Sequence, residues 1–414
     1  MKSLINSRVV VAVVSMGLCG CAGGGAAGPR TDAESPLWGS LEPGPFEVGF
    51  TALFVVDSTR GFPTGDLEST GRPLRILLWY PARPTAGGAE RMTFGDYLQV
   101  SPPEERFRPL ADYLRARDHD TAKRQFSPVS DSLLRVLLGT PVAARRDAAG
   151  AEGHFPLVLH SLGGNDYQLE STVLWEYLAA HGYVVAVLPQ LGPSLEDGTL
   201  AFSPEDLALQ SEDLEFALEV LSEAGVADGP LPSLETDRIG VVGHSSGGIA
   251  ALLLAGRSRR VAAIAGLDPS FTTGEGAALL DRMSFDYASV TAALLDLRAN
   301  ANGILDLDPL NAMRHADRYD AAIGGERPPR KATHFDFQNW PLYGVLTGVE
   351  DDRGASARPA AQGRAVYLAV CRLTRAFFDV VLRGRRDAAG YLTGDTPLPP
   401  PDPTIAFGRY PAEP

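Results

Sequence analysis

Ser245 stands in Gly243-His244-Ser245-Ser246-Gly247-Gly248, a G-x-S-x-G pattern between the apolar run Ile239–Val242 and the helix-compatible run Ile249–Leu254. Glycine on either side allows the serine to occupy a cramped turn where a flanking β-carbon would collide with strand or helix. The spacing predicts a nucleophile held above a sheet edge. Free amides at the start of the following helix would then point at negative charge developing on a bound carbonyl. A serine hydroxyl needs a base to take its proton and a carboxylate to orient that base. Geometry alone fixes no chain order for the partners, but where a G-x-S-x-G serine on such a turn is a hydrolase nucleophile the known order is serine, then acid, then histidine. Of the seven histidines, only His315 and His334 follow Ser245. His334, among aromatics in Thr333-His334-Phe335-Asp336-Phe337, is the favoured base, whereas His315 lies in the charged Asn311–Arg318 stretch and reads as a surface helix position. Asp268 ends the apolar run Val261–Leu267, 23 residues after Ser245, which leaves room for one helix and one strand. Asp306 and Asp308 are the alternative acids. A tetrahedral intermediate needs two donors; the backbone amides of Ser246, after the nucleophile, and Leu162, ahead of Gly163-Gly164, are best placed. His160 and His244 are expected to pack or hydrogen-bond beneath the turn.

The elements that must position these groups read as an α/β chain. Val48–Asp57 and Leu74–Tyr80 have strand character, with a hairpin-like connection over Gly61–Arg72, and would open a mixed sheet. Phe155–His160, a helix over Leu169–Ala180 and the strand Tyr183–Leu188 form a βαβ unit. A further helix within Glu205–Glu223 precedes the nucleophile strand, and Ala365–Leu382 reads as a closing helix. The expected division is a signal peptide over 1–20, a flexible tether over 21–44, a domain over 45–390 and a proline-rich surface tail over 391–414. Two insertions interrupt the domain. Residues 83–150 are partly helical with a polar loop at Arg145–Gly153. Residues 271–330 hold no clean strand; helical stretches such as Val290–Arg298 suggest a lid.

Composition sets the compartment and excludes some partners. Lys2 and Arg8 precede the apolar Val9–Leu18, too short for a permanent span, and Leu18-Cys19-Gly20-Cys21 looks like a bacterial lipobox with Cys21 as the lipidated residue. The expectation is an exported, lipid-anchored protein of the cell envelope; a periplasmic or secreted form cut near Ala22 or Ala27 is the alternative. Only Cys371 would then remain, so no internal disulfide can form. A formal charge of −14 argues against a nucleic-acid partner. No histidine or cysteine spacing suits a metal and no glycine loop suits a nucleotide, so no metal or cofactor is expected.

Val48-Gly49-Phe50, Leu74–Pro81, His160-Ser161-Leu162-Gly163-Gly164, the nucleophile turn, Leu267-Asp268-Pro269 and Thr333–Phe337 together resemble the α/β-hydrolase superfamily. The likeness is to its branch of bacterial dienelactone-hydrolase-like proteins and plasma-type platelet-activating-factor acetylhydrolases, over roughly residues 46–385. The resemblance implies an α/β-hydrolase fold, a mostly parallel central sheet flanked by helices. It implies Ser245 as nucleophile, Asp268 rather than a later aspartate as acid, His334 as base, and the Leu162 and Ser246 amides as oxyanion donors. Ser161 stands where the branch usually has the first glycine of H-G-L-G-G, and Ser245 where dienelactone hydrolases proper have cysteine. The implied activity is cleavage of carboxylic esters, short-chain or phospholipid-like. Amides, peptides and polymeric esters are alternative substrates for the same triad, and a binding lipoprotein without turnover is the alternative from another class.

Overall fold

The computed structural model describes residues 35–64, 67–69, 71–85, 91–125, 131–164, 168–196, 198, 200–223, 229–299, 310, 313, 316–324, 332–348, 360–400 and 403–412. The expected signal peptide, Cys21, Asp306, Asp308 and His315 lie outside these residues.

Among the described residues twelve strands follow in chain order: β1 Glu47–Asp57, β2 Phe62–Thr64, β3 Leu67–Ser69, β4 Arg72–Ala82, β5 Ala144–Arg146, β6 His154–Ser161, β7 Val184–Val187, β8 Ser233–His244, β9 Val261–Leu267, β10 Ala293–Ala299, β11 Arg318–Ile323 and β12 Ile405–Tyr410. Ten of them form one sheet in the order β12-β11-β10-β9-β8-β6-β7-β4-β1-β5, and β2 with β3 makes the expected hairpin. From β7 through β6, β8, β9 and β10 to β11 every neighbouring pair is parallel. β1 and β4 pair antiparallel at the start of the chain, as their alternation predicts. The parallel strands are apolar on both faces, because helices cover both. Val158 and Val242 face one layer, packed with helices Thr172–Ala180 and Ala360–Val381. Leu157, Leu159, Ile239 and Val241 face the other, under helices Pro204–Ser222 and Gly247–Arg257. Each such side chain, fully buried, contributes about 1.5–3 kcal/mol.

The structure corrects several sequence expectations. Residues 35–44 belong to the domain rather than to the tether: Leu37, Trp38 and Leu41 are buried, and the Trp38 indole donates to Glu176 Oε2 at 2.6 Å. Residues 271–330, expected to hold no strand, contribute β10 and β11, and Val290–Arg298 is largely strand rather than helix. Charged side chains hid β10. Asp296 lies opposite Asp320 across the ladder, and Arg298 pairs with both carboxylates, so buried ions occupy one face of an otherwise apolar strand. Overlapping the start of the polar loop expected at Arg145–Gly153, Ala144–Arg146 adds a parallel strand beside β1. The proline-rich end is not only a surface tail, since β12 pairs antiparallel with β11 and closes that sheet edge.

Candidate functional site

β8 ends at His244, and the chain turns sharply at Ser245 into helix Gly247–Arg257. Ser245 has φ 51°, the left-handed region, as does Asp268 at 45°. Only four non-glycine residues among those described have positive φ, so half of this strain sits on the two residues the sequence singles out. The turn is fixed by its backbone. Ser245 N–H donates to the Leu267 carbonyl at 3.1 Å, and the Ser245 carbonyl accepts from Gly248 N–H at 3.0 Å and Ser270 N–H at 2.8 Å. The turns at Ser245 and Asp268 are thereby one unit.

The flanking glycines are required by close approach. A β-carbon on Gly243 would lie 2.7 Å from Gly248 Cα, and one on Gly247 would lie 2.1 Å from the Ser161 carbonyl oxygen and 2.6 Å from that of Leu162. Gly247→Ala is therefore expected to push the loop after β6 away from Ser245. The expected result is a loss of about 100-fold in kcat/KM through misplacement and of about 1–3 kcal/mol in stability through overpacking. Steady-state kinetics and urea unfolding of the variant check both; wild-type kinetics would contradict the contact.

Asp268 follows β9 and is oriented by β10. Its N–H donates to the Leu297 carbonyl at 2.7 Å, and its Oδ1 accepts from Ala299 N–H at 2.9 Å. Its Oδ2 lies 2.5 Å from His334 Nδ1. His334 opens a short 3-10 turn, His334–Phe337, held by a capping box in which Thr333 N–H donates to Asp336 Oδ2 at 2.7 Å. The structure thus brings Asp268 and His334 together. Ser245 and His334 line one cavity of about 290 Å³ with Ser246, Ser270 and Gly164; its apolar wall includes Leu200, Phe202, Leu207 and Phe335. Ser245 Oγ and His334 share no hydrogen bond. Ser246, at the N-cap of helix Gly247–Arg257, has an amide with no intrahelical acceptor. Leu162 is buried at the start of the loop after β6, against Gly247.

His160 and His244 are buried below this surface. The Trp175 indole donates to His160 Nδ1 at 2.8 Å, which leaves the proton on Nε2, 3.3 Å from Glu170 Oε1. Burial holds the His160 pKa below its ordinary value despite that carboxylate. The His244 ring stacks on that of His334, centroids 4.7 Å apart and 28° from parallel. No sequence pattern marks Glu170, Gln338 or the glutamines Gln190 and Gln210, which donate to the Leu162 carbonyl at 2.9 Å each. The available signal at Glu170 is weak: one carboxylate in Gln168-Leu169-Glu170, just ahead of an apolar helix.

Burial alone would raise the Glu170 pKa, but His244 and His160 outweigh it and hold it at about 2, against 4.5 for a free glutamate. A lowered folded-state pKa means that its stabilisation is complete above pH 4.5 and is lost as pH falls from there through 2, about 3 kcal/mol in all. Urea unfolding at pH 6 and pH 3 is expected to show about 2 kcal/mol of this loss in the wild type, the remainder falling below pH 3, and a smaller one in Glu170→Gln.

No protein-family profile and no curated protein matches the chain. Among solved structures, a ferulic acid esterase from Streptomyces cinnamoneus is similar, with 24% identity over 88% of this chain and 96% of that chain and a TM-score of 0.59. The likeness is one of fold: a mostly parallel ten-stranded sheet flanked by helices, of the α/β-hydrolase kind.

Proposed function

We propose that the chain is a serine hydrolase of carboxylic esters, with Ser245 as nucleophile, His334 as base, Asp268 as acid, and the Ser246 and Leu162 amides as oxyanion donors. The observation that carries this is the 2.5 Å contact of His334 Nδ1 with Asp268 Oδ2 beside a cavity also lined by Ser245, itself held at φ 51°. As Ser245 Oγ bonds to the ester carbonyl carbon, His334 Nε2 takes its proton, and Asp268 stabilises the imidazolium. The oxyanion collapses, the carbon–oxygen bond breaks, and His334 returns the proton to the departing alcohol. Water, deprotonated by His334, then frees the acid and restores Ser245. The Ser245 to His334 hydrogen bond forms in this scheme as ester binds, since catalytic hydrogen bonds commonly tighten only in the loaded enzyme.

The cavity volume of about 290 Å³ and its walls of Leu200, Phe202, Leu207 and Phe335 favour a short acyl group, including one carried on a phospholipid-like ester as in the acetylhydrolases the sequence resembles. Compact aromatic esters are the second reading, supported by the same aromatic walls and by the structural likeness to a ferulic acid esterase. A fluorophosphonate probe with peptide mapping is expected to label Ser245, and folded protein that stays unlabelled would instead be a binding protein on this scaffold. Rates on p-nitrophenyl esters of increasing chain length and on methyl ferulate separate the substrate readings, and matched anilides test amides.

Export and anchoring at Cys21 form part of this reading. Cys21→Ala is expected to move the protein from the membrane fraction to the soluble one, and unchanged lipid labelling would exclude the anchor.

A further inference from the structure

We propose that Glu170 is a positioning residue that holds the oxyanion loop, the nucleophile turn and the base in mutual register, a role that rests on the ester-hydrolase reading above. Glu170 is fully buried and both its oxygens are engaged. Oε1 accepts from Gly163 N–H at 3.2 Å and from His160 Nε2 at 3.3 Å. Oε2 accepts from Gln338 Nε2 at 2.9 Å and lies 3.3 Å from His244 Nδ1. Its backbone carbonyl accepts from Asn339 N–H at 2.7 Å. These partners come from three segments: the end of β6 with the loop after it, near in the chain, and the end of β8 and the residues just after the His334 turn, both far from it.

The Gly163 contact bears on the oxyanion loop. Ser161 sits in the sheet opposite Gly243, which holds the peptide before Leu162. The peptide after it is clamped at both ends, the Leu162 carbonyl by Gln190 and Gln210 and the Gly163 N–H by Glu170. The Leu162 amide between them has little freedom to turn. On the other side, Gln338 is tied to Glu170 and also accepts from the Trp340 indole at 2.5 Å, which fixes the chain leaving the His334 turn. His244, the other partner of Oε2, is the floor on which the His334 ring lies. A shift of this carboxylate therefore moves the donor loop and the base together.

Glu170→Gln tests the role at constant volume. An amide offers one oxygen and one NH2 group, so on one side of the network donors would face donors. The measurement is kcat and KM per active site, the sites being counted by the burst with a fluorophosphonate titrant at pH 7. The expected result is a full count of sites, kcat lower by about 100-fold, and KM within about threefold of wild type, as expected for a contribution made in the transition state. Glu170→Asp, which keeps the charge but is one methylene too short to serve both sides, is expected to fall between the two and carries the same comparison if the glutamine variant does not fold. Fewer titratable sites with wild-type kcat per site would make Glu170 merely structural and overturn the proposal. Absence of labelling in the wild type would overturn the hydrolase reading, and this one with it; full labelling with unchanged kcat in both variants overturns this one alone.

Discussion

Ser245→Ala is expected to lower kcat for ester hydrolysis by about 10³ to 10⁶, the range for loss of a triad member, and to abolish fluorophosphonate labelling. That range corresponds to about 4–8 kcal/mol of barrier. Ser245→Gly should be equally inactive but more stable than the alanine variant. Residue 245 is held at φ 51°, where a β-carbon is strained whether it belongs to serine or alanine and glycine is not. Relief of about 1–2 kcal/mol of left-handed strain, offset by the larger entropy glycine loses on folding, about 0.5–1 kcal/mol, leaves a net gain of about 1 kcal/mol. Comparing the two inactive variants in urea removes every effect of the lost hydroxyl. Turnover near the wild-type rate in either would remove Ser245 from the nucleophile role, and a glycine variant less stable than the alanine one by about 0.5–1 kcal/mol would mean that the turn is unstrained. The turn's geometry thus predicts a stability cost borne at the site of function.

That turn was legible in the sequence because its signals are local. The glycines at 243 and 247, the apolar strand before and the helix after lie within one short stretch. Asp268 and His334 were also legible, the first because a carboxylate ends an apolar strand, the second because chain order leaves two histidines to choose from. What failed depended on partners far away in the chain. β10 reads as a charged, helix-like segment until Asp320 on the next strand is seen to share Arg298 with Asp296. β12 lies in a proline-rich stretch and becomes a strand only by pairing with β11. Trp38 reads as tether until Glu176, far along the chain, is seen to accept a hydrogen bond from its indole N–H. Glu170 belongs to the same class through His244 and Gln338, although Gly163 and His160 are near it in the chain. Its role lies in four contacts from three segments, and no pattern in its own neighbourhood announces them. β10 also matters to the site, because Asp268 is aligned by Leu297 and Ala299. The candidate acid was readable before the strand that aligns it.

Asp268→Asn is expected to cost about 10⁴ in kcat with little change in stability. The fold should tolerate it, since asparagine adopts the left-handed region more readily than most residues and position 268 has φ 45°. The chemistry should not. Asp268 Oδ1 accepts from Ala299 N–H, and the single oxygen of asparagine is drawn to that fixed donor. The side-chain NH2 then takes the place of Oδ2 opposite His334 Nδ1. A donor there forces Nδ1 to accept, and the imidazole proton moves to Nε2. In that tautomer Nε2 has no lone pair with which to take the serine proton, and the nucleophile stays protonated although the side chains keep their places. Asp268→Ala leaves Nδ1 free to keep its proton and should therefore be no worse than the asparagine variant, an ordering that simple loss of charge does not predict. Activity of Asp268→Asn within tenfold of wild type would move the acid role to Asp306 or Asp308, and substitution of those two residues would then decide between them.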